Sequence, residues 1–127
     1  MTEKGIESLA EKIPSTLLKE LDLSENPIGN SGAKLIASKL SRRSSTIHTL
    51  NLSDCKIEHR GFHYIFSAER NQNKLCELNL NNNNIGQNKI TFHTMGDCLL
   101  RTRSLSTLLL DNCDTRNAGA VAISEAL

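Results

Sequence analysis

The chain has 127 residues, a formal net charge of +1 and only four aromatic side chains, three Phe and one Tyr. This length allows one domain with a substantial core, and the shortage of aromatic residues argues against a surface that stacks on nucleobases. No stretch has the apolar core of a signal peptide or the length of a transmembrane helix, so we expect a soluble chain that does not enter a membrane.

The first predicted element is a helix over residues 5–13, which ends at Pro14 because proline cannot donate a helical hydrogen bond. A strand follows, since apolar and polar residues alternate around Leu21 and Leu23. Both leucines should point inward, and the intervening polar side chains should point outward. Residues 32–40 then change to a helical period, which places four apolar residues on one stripe: Ala33, Ile36, Ala37 and Leu40.

The strand motif returns three times, and its middle leucines are 29, 28 and 30 residues apart: Leu21, Leu50, Leu78 and Leu108. A fixed period of this size, headed by L-x-x-L-x-L-x-x-N/C, is typical of leucine-rich repeats. Strands joined by crossover helices run parallel, with the helices covering one side of the sheet. The sequence therefore predicts an α/β solenoid, a right-handed horseshoe arc with strands on the concave face and helices on the convex face.

The residue after each strand alternates strictly between Asn and Cys, as Asn26, Cys55, Asn83 and Cys113. This alternation, the period near 28 to 30 and the full helical returns resemble the ribonuclease-inhibitor class of leucine-rich repeat proteins. That class also includes innate-immune sensors, activators of small GTPases and bacterial effectors. The resemblance therefore implies the solenoid fold, whereas the function of this chain has to be inferred from the residues on its own surface.

We expect a single domain over residues 1–127, with a half-repeat at 1–17 and repeats at about 18–46, 47–74, 75–104 and 105–127. Lys89 stands where other repeats have Gly32, Gly61 and Gly119, so the third convex segment should be the least regular. After the last predicted strand the chain supplies one helix and no polar capping unit. This end should expose an unpaired strand edge, open to further repeats or to end-to-end pairing of two copies.

The four cysteines contain no C-x-x-C pair, so no metal site or cofactor is expected. Cys55 and Cys113 should lie two strands apart, about 10 Å, which exceeds the roughly 7 Å that a disulfide can span. We expect reduced thiols and a cytoplasmic chain. A catalytic pair could only be His48 and Cys76 on neighbouring strands, and no orienting group or oxyanion donor accompanies them, so no enzymatic activity is predicted.

Charge is unevenly distributed between the two predicted faces. Sixteen outward positions on the strands and the turns after them contain six acids and neither Lys nor Arg. The basic residues of the helices lack aromatic neighbours or a known motif, so nucleic acid is not an expected partner. A concave surface of one sign attracts the opposite charge. We predict that a protein with a basic surface binds at ten residues: Glu20, Asp22, Glu25, Asn51, Asp54, Glu77, Asn79, Asn82, Leu109 and Asp111.

Three other functions are compatible with the resemblance. The chain could regulate a small GTPase, act as a bacterial effector delivered into a host cell, or assemble through its open solenoid end. The leading prediction remains a non-enzymatic protein-interaction module. Its four-strand face is only about 15 Å wide, which is small against the roughly 800 Å² that each partner buries in a standard interface.

Overall fold

A computed structural model describes residues 3–12, 18–40, 46–71, 75–85 and 105–113. Helices and strands alternate from the first helix to the third strand. In chain order the elements are α1 (Glu3–Lys12), β1 (Glu20–Asp22), α2 (Gly29–Leu40), β2 (Thr49–Asn51), α3 (His59–Asn71), β3 (Glu77–Asn79) and β4 (Thr107–Leu109). Pro14 and the third convex segment around Lys89 lie outside the described residues, as does the predicted last helix.

The four strands form one parallel sheet in the order β1-β2-β3-β4. The middle leucines pair directly across it, Leu21 with Leu50, Leu50 with Leu78, and Leu78 with Leu108. Helix α2 packs against α1 on one side and α3 on the other. Parallel strands with helical returns confirm the predicted α/β solenoid, whereas the exact repeat boundaries stay a prediction.

The core lies between the sheet and the helices and consists mainly of repeat leucines and isoleucines. Leu50, Leu52, Leu78 and Leu80 have no exposed surface. The predicted stripe of α2 is buried with them, at Ala33, Ile36, Ala37 and Leu40. Full burial of one leucine side chain contributes about 1.5–3 kcal/mol, so neighbouring repeats stabilise one another through this shared core.

Hydrogen bonds from the Asn and Cys positions link the second, third and fourth repeats to the repeat before each of them. Asn83 Nδ2 donates to Leu52 O at 2.8 Å, and Asn83 Oδ1 accepts from the backbone N–H groups of Cys55 and Ile57, both at 3.0 Å. The thiols act in the same way, since Cys55 Sγ donates to Leu23 O and Cys113 Sγ donates to Leu80 O, each at 3.1 Å. Cys55 and Cys113 are buried and free, as predicted.

The start of α3 depends on a side chain from the preceding repeat. Asn30 Oδ1 accepts from the backbone N–H of Glu58 at 2.9 Å and from that of Gly61 at 3.0 Å, two donors without helical partners. A Cβ on Gly61 would lie 2.8 Å from both Asn30 Oδ1 and Ile57 Cγ2. Glycine is therefore required here by close packing.

Candidate functional site

The outward-facing side chains of the strands and following turns form one surface, which we call the acidic face. It comprises sixteen residues: Glu20, Asp22, Ser24, Glu25, Thr49, Asn51, Ser53, Asp54, Glu77, Asn79, Asn81, Asn82, Thr107, Leu109, Asp111 and Asn112. Every one of them is exposed or half-buried. The sheet register places them in columns that cross all four strands.

All ten residues of the predicted site lie on this surface. Seven are exposed: Glu20, Asp22, Glu25, Asp54, Glu77, Asn82 and Asp111. Three are half-buried: Asn51, Asn79 and Leu109. The structure thus brings the predicted residues together, and all six carboxylates of the acidic face are accessible to a partner.

The centre of the acidic face is a shallow depression of ≈ 320 Å³. Glu20 and Glu77 stand on either side of Thr49 in one column, because β2 lies between β1 and β3. Asp22, Asn51 and Asn79 line the depression in the next column. Three carboxylates and two amides in its lining favour a cationic, hydrogen-bonding group over an apolar one.

The column that contains Asp22 also shapes the turns at the ends of the strands. Asp22 Oδ1 accepts from the backbone N–H of Ser24 at 2.9 Å and from its hydroxyl at 2.6 Å. Asn51 and Asn79 each accept in the same way, at 3.0 Å, from the backbone N–H two residues later. The Ser24 hydrogen bonds lower the pKa of Asp22, so its negative charge persists into mildly acidic solution.

The last residue of each turn after a strand has an unusual backbone conformation, with a positive φ. Glu25, Asp54, Asn82 and Asn112 occupy equivalent positions with φ values of 61°, 51°, 60° and 55°. Asp and Asn tolerate this left-handed region better than other non-glycine residues, whereas glutamate has no such advantage. Glu25 is therefore the member of this column whose identity the backbone conformation explains least.

The last two turns are joined by side-chain contacts that the sequence pattern does not predict. Asn81 Oδ1 accepts from the backbone N–H of Asp111 at 2.7 Å, and Asn112 Nδ2 donates to Asn82 Oδ1 at 3.1 Å. These asparagines were predicted only as partner contacts or as members of the repeat. The run of four asparagines at 81–84 is the available signal, because amides can both donate and accept between stacked turns.

Two lysines at the border of the acidic face were also missed. Lys19 directly precedes β1, and Lys56 follows the turn after β2 with φ 55°. Both side chains are exposed. The six carboxylates of the acidic face are therefore bordered by two exposed lysines.

Among the described residues, the pair considered for covalent chemistry is His48 and Cys76, which directly precede β2 and β3. The backbone N–H of Cys76 donates to His48 O at 2.7 Å, so the two residues are adjacent, as predicted. Within the ranges that the structure describes, no group of three or more His, Cys, Asp or Glu residues is arranged to hold a metal ion. The helices described are all too short or too polar to cross a membrane.

Comparison with known sequences identifies the repeat. A family model described as "Leucine Rich repeat" matches residues 15–37 and 43–61. The chain is also 33% identical over 107 residues to a ribonuclease inhibitor of Sus scrofa. That alignment includes 80% of this chain and 23% of the inhibitor, so the chain spans about a quarter of the relative's length.

Solved structures with the same fold are more distant in sequence. The actin-binding site 2 of leiomodin-1 superposes with a TM-score of 0.78 at 14% identity, covering 98% of this chain and 70% of that one. The C-terminal domain of a Caenorhabditis elegans tropomodulin gives a TM-score of 0.60 at 15% identity, with 99% and 92% coverage. At these identities the similarity shows the shared fold.

Proposed function

Since this chain is a leucine-rich repeat protein of the ribonuclease-inhibitor-like class, we propose that it is a non-enzymatic module whose acidic face binds a protein with a basic surface. Leucine-rich repeat proteins generally mediate protein–protein interactions. The relative from Sus scrofa is an inhibitor, which supports a binding role over a catalytic one.

The observation that carries the proposal is the distribution of charge. Six carboxylates and no Lys or Arg occupy the sixteen positions of the acidic face, although the whole chain has a net charge of +1. A concave surface of one sign concentrates the electrostatic potential and accelerates encounters with an oppositely charged partner. Solubility alone would be equally well served by mixed charges, so the segregation favours recognition of a basic surface.

The size of the acidic face predicts the kind of binding. Four strands at about 4.8 Å spacing give a face about 15 Å wide, which is well below a standard interface of roughly 800 Å² per partner. Binding by this chain alone should therefore be weak and dominated by long-range charge. Its affinity should fall as salt screens the carboxylates, because the Debye length shortens to about 10 Å at 0.1 M ionic strength.

The test replaces acids with the residue found at the same position in another repeat. The triple variant Asp22→Asn, Glu25→Asn and Asp54→Asn introduces residues that Asn51, Asn79, Asn82 and Asn112 show to be compatible with the fold. Two probes follow from the names of the similar proteins: a basic ribonuclease and actin. We expect the unmodified chain to bind the ribonuclease at low salt and the triple variant to lose that binding.

The matched control neutralises three exposed acids outside the acidic face, in the variant Glu7→Gln, Glu11→Gln and Glu58→Gln. Both variants change the net charge equally, so a general charge effect would weaken them to the same degree. Unchanged ribonuclease binding by the triple variant at low salt would contradict the proposal. Binding of actin with no dependence on these acids would favour another surface of the solenoid.

The alternative functions make different predictions. A regulator of a small GTPase would change the rate of GTP hydrolysis when added to the GTPase, which binding at an acidic face does not require. A bacterial effector would act only after delivery into a host cell. We propose a reducing compartment such as the cytoplasm, where buried thiols like those of Cys55 and Cys113 would stay reduced.

A further inference from the structure

We propose that Leu109 determines which basic surfaces bind, by packing against an apolar side chain that lies beside the basic group of the partner. This inference rests on the proposed function and deepens it, because it adds a second chemical requirement to the partner. It depends on three observations: the polarity of the residues around Leu109, the hydrogen bond that compensates for this leucine, and its position beside the depression of the acidic face.

Leu109 is the one apolar residue among the sixteen of the acidic face. The sheet register places it in a single column with Asp22, Asn51 and Asn79. The other three members of this column are therefore a carboxylate and two amides, which suit a surface in contact with water. The leucine departs from this pattern and exposes apolar atoms at the same height on β4.

The core does not account for this leucine. The half-buried apolar residues that pack against the core include its two neighbours in the chain, Leu108 and Leu110, but not Leu109 itself. The strand period of two gives the same arrangement, because it points Leu108 and Leu110 inward and Leu109 outward. The side chain of Leu109 is thus half-buried on the outer side of the sheet.

The turn after β4 is capped differently from the other turns. Asp22, Asn51 and Asn79 each accept a hydrogen bond from the backbone N–H two residues later, whereas a leucine side chain has no acceptor. The equivalent donor after β4 is Asp111 N–H, which bonds to Asn81 Oδ1 of the preceding repeat at 2.7 Å. The fold therefore requires no leucine here and supplies the missing acceptor from another turn.

Leu109 borders the depression at the centre of the acidic face. It lies directly opposite Asn79 in the sheet register, and Asn79 lines the depression. Because adjacent strands are about 4.8 Å apart, a partner that places a basic group in the depression brings its neighbouring atoms over Leu109. An apolar side chain at that point removes the leucine from water and is favoured over a polar one.

The two kinds of contact respond differently to salt. Dissolved ions screen the attraction between the carboxylates and a basic group. The contact between Leu109 and an apolar side chain involves no net charge, so screening does not weaken it. Leu109 should therefore select among partners of equal charge, and its share of the binding should persist at high salt.

The test compares two peptides of equal positive charge, with arginines separated by leucines in one and by serines in the other. Calorimetric titration measures their affinities for the unmodified chain and for the variant Leu109→Asn, which introduces the residue type of Asn51 and Asn79. We expect the unmodified chain to bind the leucine-containing peptide about five- to tenfold more tightly. The variant should bind both peptides with equal affinity.

Two further variants separate this contact from effects on charge and on the fold. Leu109→Met retains an apolar side chain of similar volume and should keep the preference. Asp54→Asn removes a carboxylate and leaves Leu109 in place, so it should weaken the binding of both peptides alike. The urea midpoint of Leu109→Asn should be no lower than that of the unmodified chain, because the new amide offers Asp111 N–H an acceptor.

The outcomes distinguish this inference from the proposed function. Equal affinity of the unmodified chain for the two peptides would overturn the role of Leu109 and leave the binding of basic partners standing. An unchanged preference in Leu109→Asn would do the same, and so would a marked fall in its urea midpoint, which would assign the leucine to the fold. If neither peptide binds at low salt, the proposed function fails and this inference fails with it.

Discussion

At the scale of single residues, the solenoid depends on buried groups that satisfy the backbone of a neighbouring repeat. Asn83 is the only polar residue among the described ones that is fully buried, at 1% exposure. Its amide accepts two hydrogen bonds from the preceding repeat and donates to that repeat and to its own turn. A side chain that both donates and accepts is required here, because unpaired backbone groups in the core are costly.

Asn83→Ala should therefore be one of the most destabilising single substitutions. It leaves the N–H groups of Cys55 and Ile57 without an acceptor, and each buried group left unpaired costs about 1–3 kcal/mol. We expect urea unfolding to show a loss of roughly 3 kcal/mol or more. Asn83→Cys should lose less, since a thiol at this position can still donate to Leu52 O. Asn26→Ala is the control and should cost least, because its bonds stay within one turn.

The buried thiols predict a loss of stability in alkaline solution. Desolvation raises the pKa of Cys55 and Cys113 above the ordinary value of 9.0. A group with a raised pKa in the folded state stabilises that state below the unfolded pKa, and this contribution disappears as the pH rises through the folded pKa. The unfolding free energy in reducing buffer should fall above about pH 9. Cys55→Ser should weaken this dependence, and an identical alkaline slope would contradict the explanation.

Alkylation of the native chain should distinguish the same thiols. Cys55 and Cys113 are 0% and 1% exposed, whereas Cys76 is half-buried. Because the thiolate reacts and burial disfavours it, Cys76 should be labelled well before the other two. Mass spectrometry of timed samples would show the order. Early labelling of Cys55 and Cys113 would indicate that the repeats open readily.

At the scale of the elements, periodicity predicted more of the helices and strands than of their junctions. The leucines of the strands and the stripe of α2 were recoverable because burial follows a period of two or of 3.6 residues. The cap that Asn30 provides to α3 was not recoverable from the sequence, because the two N–H groups that it accepts from lie 28 and 31 residues away along the chain. A contact between repeats leaves no local pattern around either residue, so only the stacked structure reveals it.

Asn30→Ala tests this cap. Loss of a helix-capping acceptor costs about 1 kcal/mol, and both donors at the start of α3 would lose their bond. Asn30→Asp should retain full stability, because a carboxylate accepts equally well and its charge is favourable at a helix N-terminus. The measurement is urea unfolding of both variants. Equal stability of Asn30→Ala and the unmodified chain would show that solvent replaces the cap.

Gly61→Ala should be coupled to the same cap. The added Cβ would be 2.8 Å from Asn30 Oδ1, so it has to displace the capping amide or shift the helix. Its cost should be smaller in an Asn30→Ala background, where that contact is absent, although Ile57 Cγ2 still crowds the site. A double-mutant cycle measures the difference. Strictly additive costs would place the strain at Ile57 and Ala33, whose Cβ would lie 3.1 Å away, and not at Asn30.

At the scale of the whole molecule, the solenoid turns a periodic sequence into a surface of one charge. The acidic face was predictable because a strand period of two assigns each residue to a side, and the repeat brings equivalent residues together. Two other features were not predictable, because they depend on side-chain geometry. They are the depression between Glu20 and Glu77 and the hydrogen-bonded turns.

The concentration of like charge should reduce stability at low salt. Glu20 and Glu77 are two strands apart, about 10 Å, where like charges in water repel by roughly 0.4 kcal/mol. The double variant Glu20→Thr and Glu77→Thr introduces the residue that Thr49 and Thr107 supply in the same column. We expect the unfolding free energy of this variant to exceed that of the unmodified chain at low salt. The salt-dependent part of this gain should disappear in 1 M salt, because the Debye length there is only about 3 Å.

The control is Glu7→Gln with Glu58→Gln, which removes the same charge outside the acidic face. Its stability relative to the unmodified chain should vary less with salt, since these two acids are not aligned in one column. A salt-dependent gain in unfolding free energy that only the acidic-face variant shows would mean that Glu20 and Glu77 oppose folding. Residues that are kept at a cost to stability are best explained by binding. If both variants respond to salt alike, the segregation of charge has no energetic consequence, and the electrostatic basis for partner binding is lost.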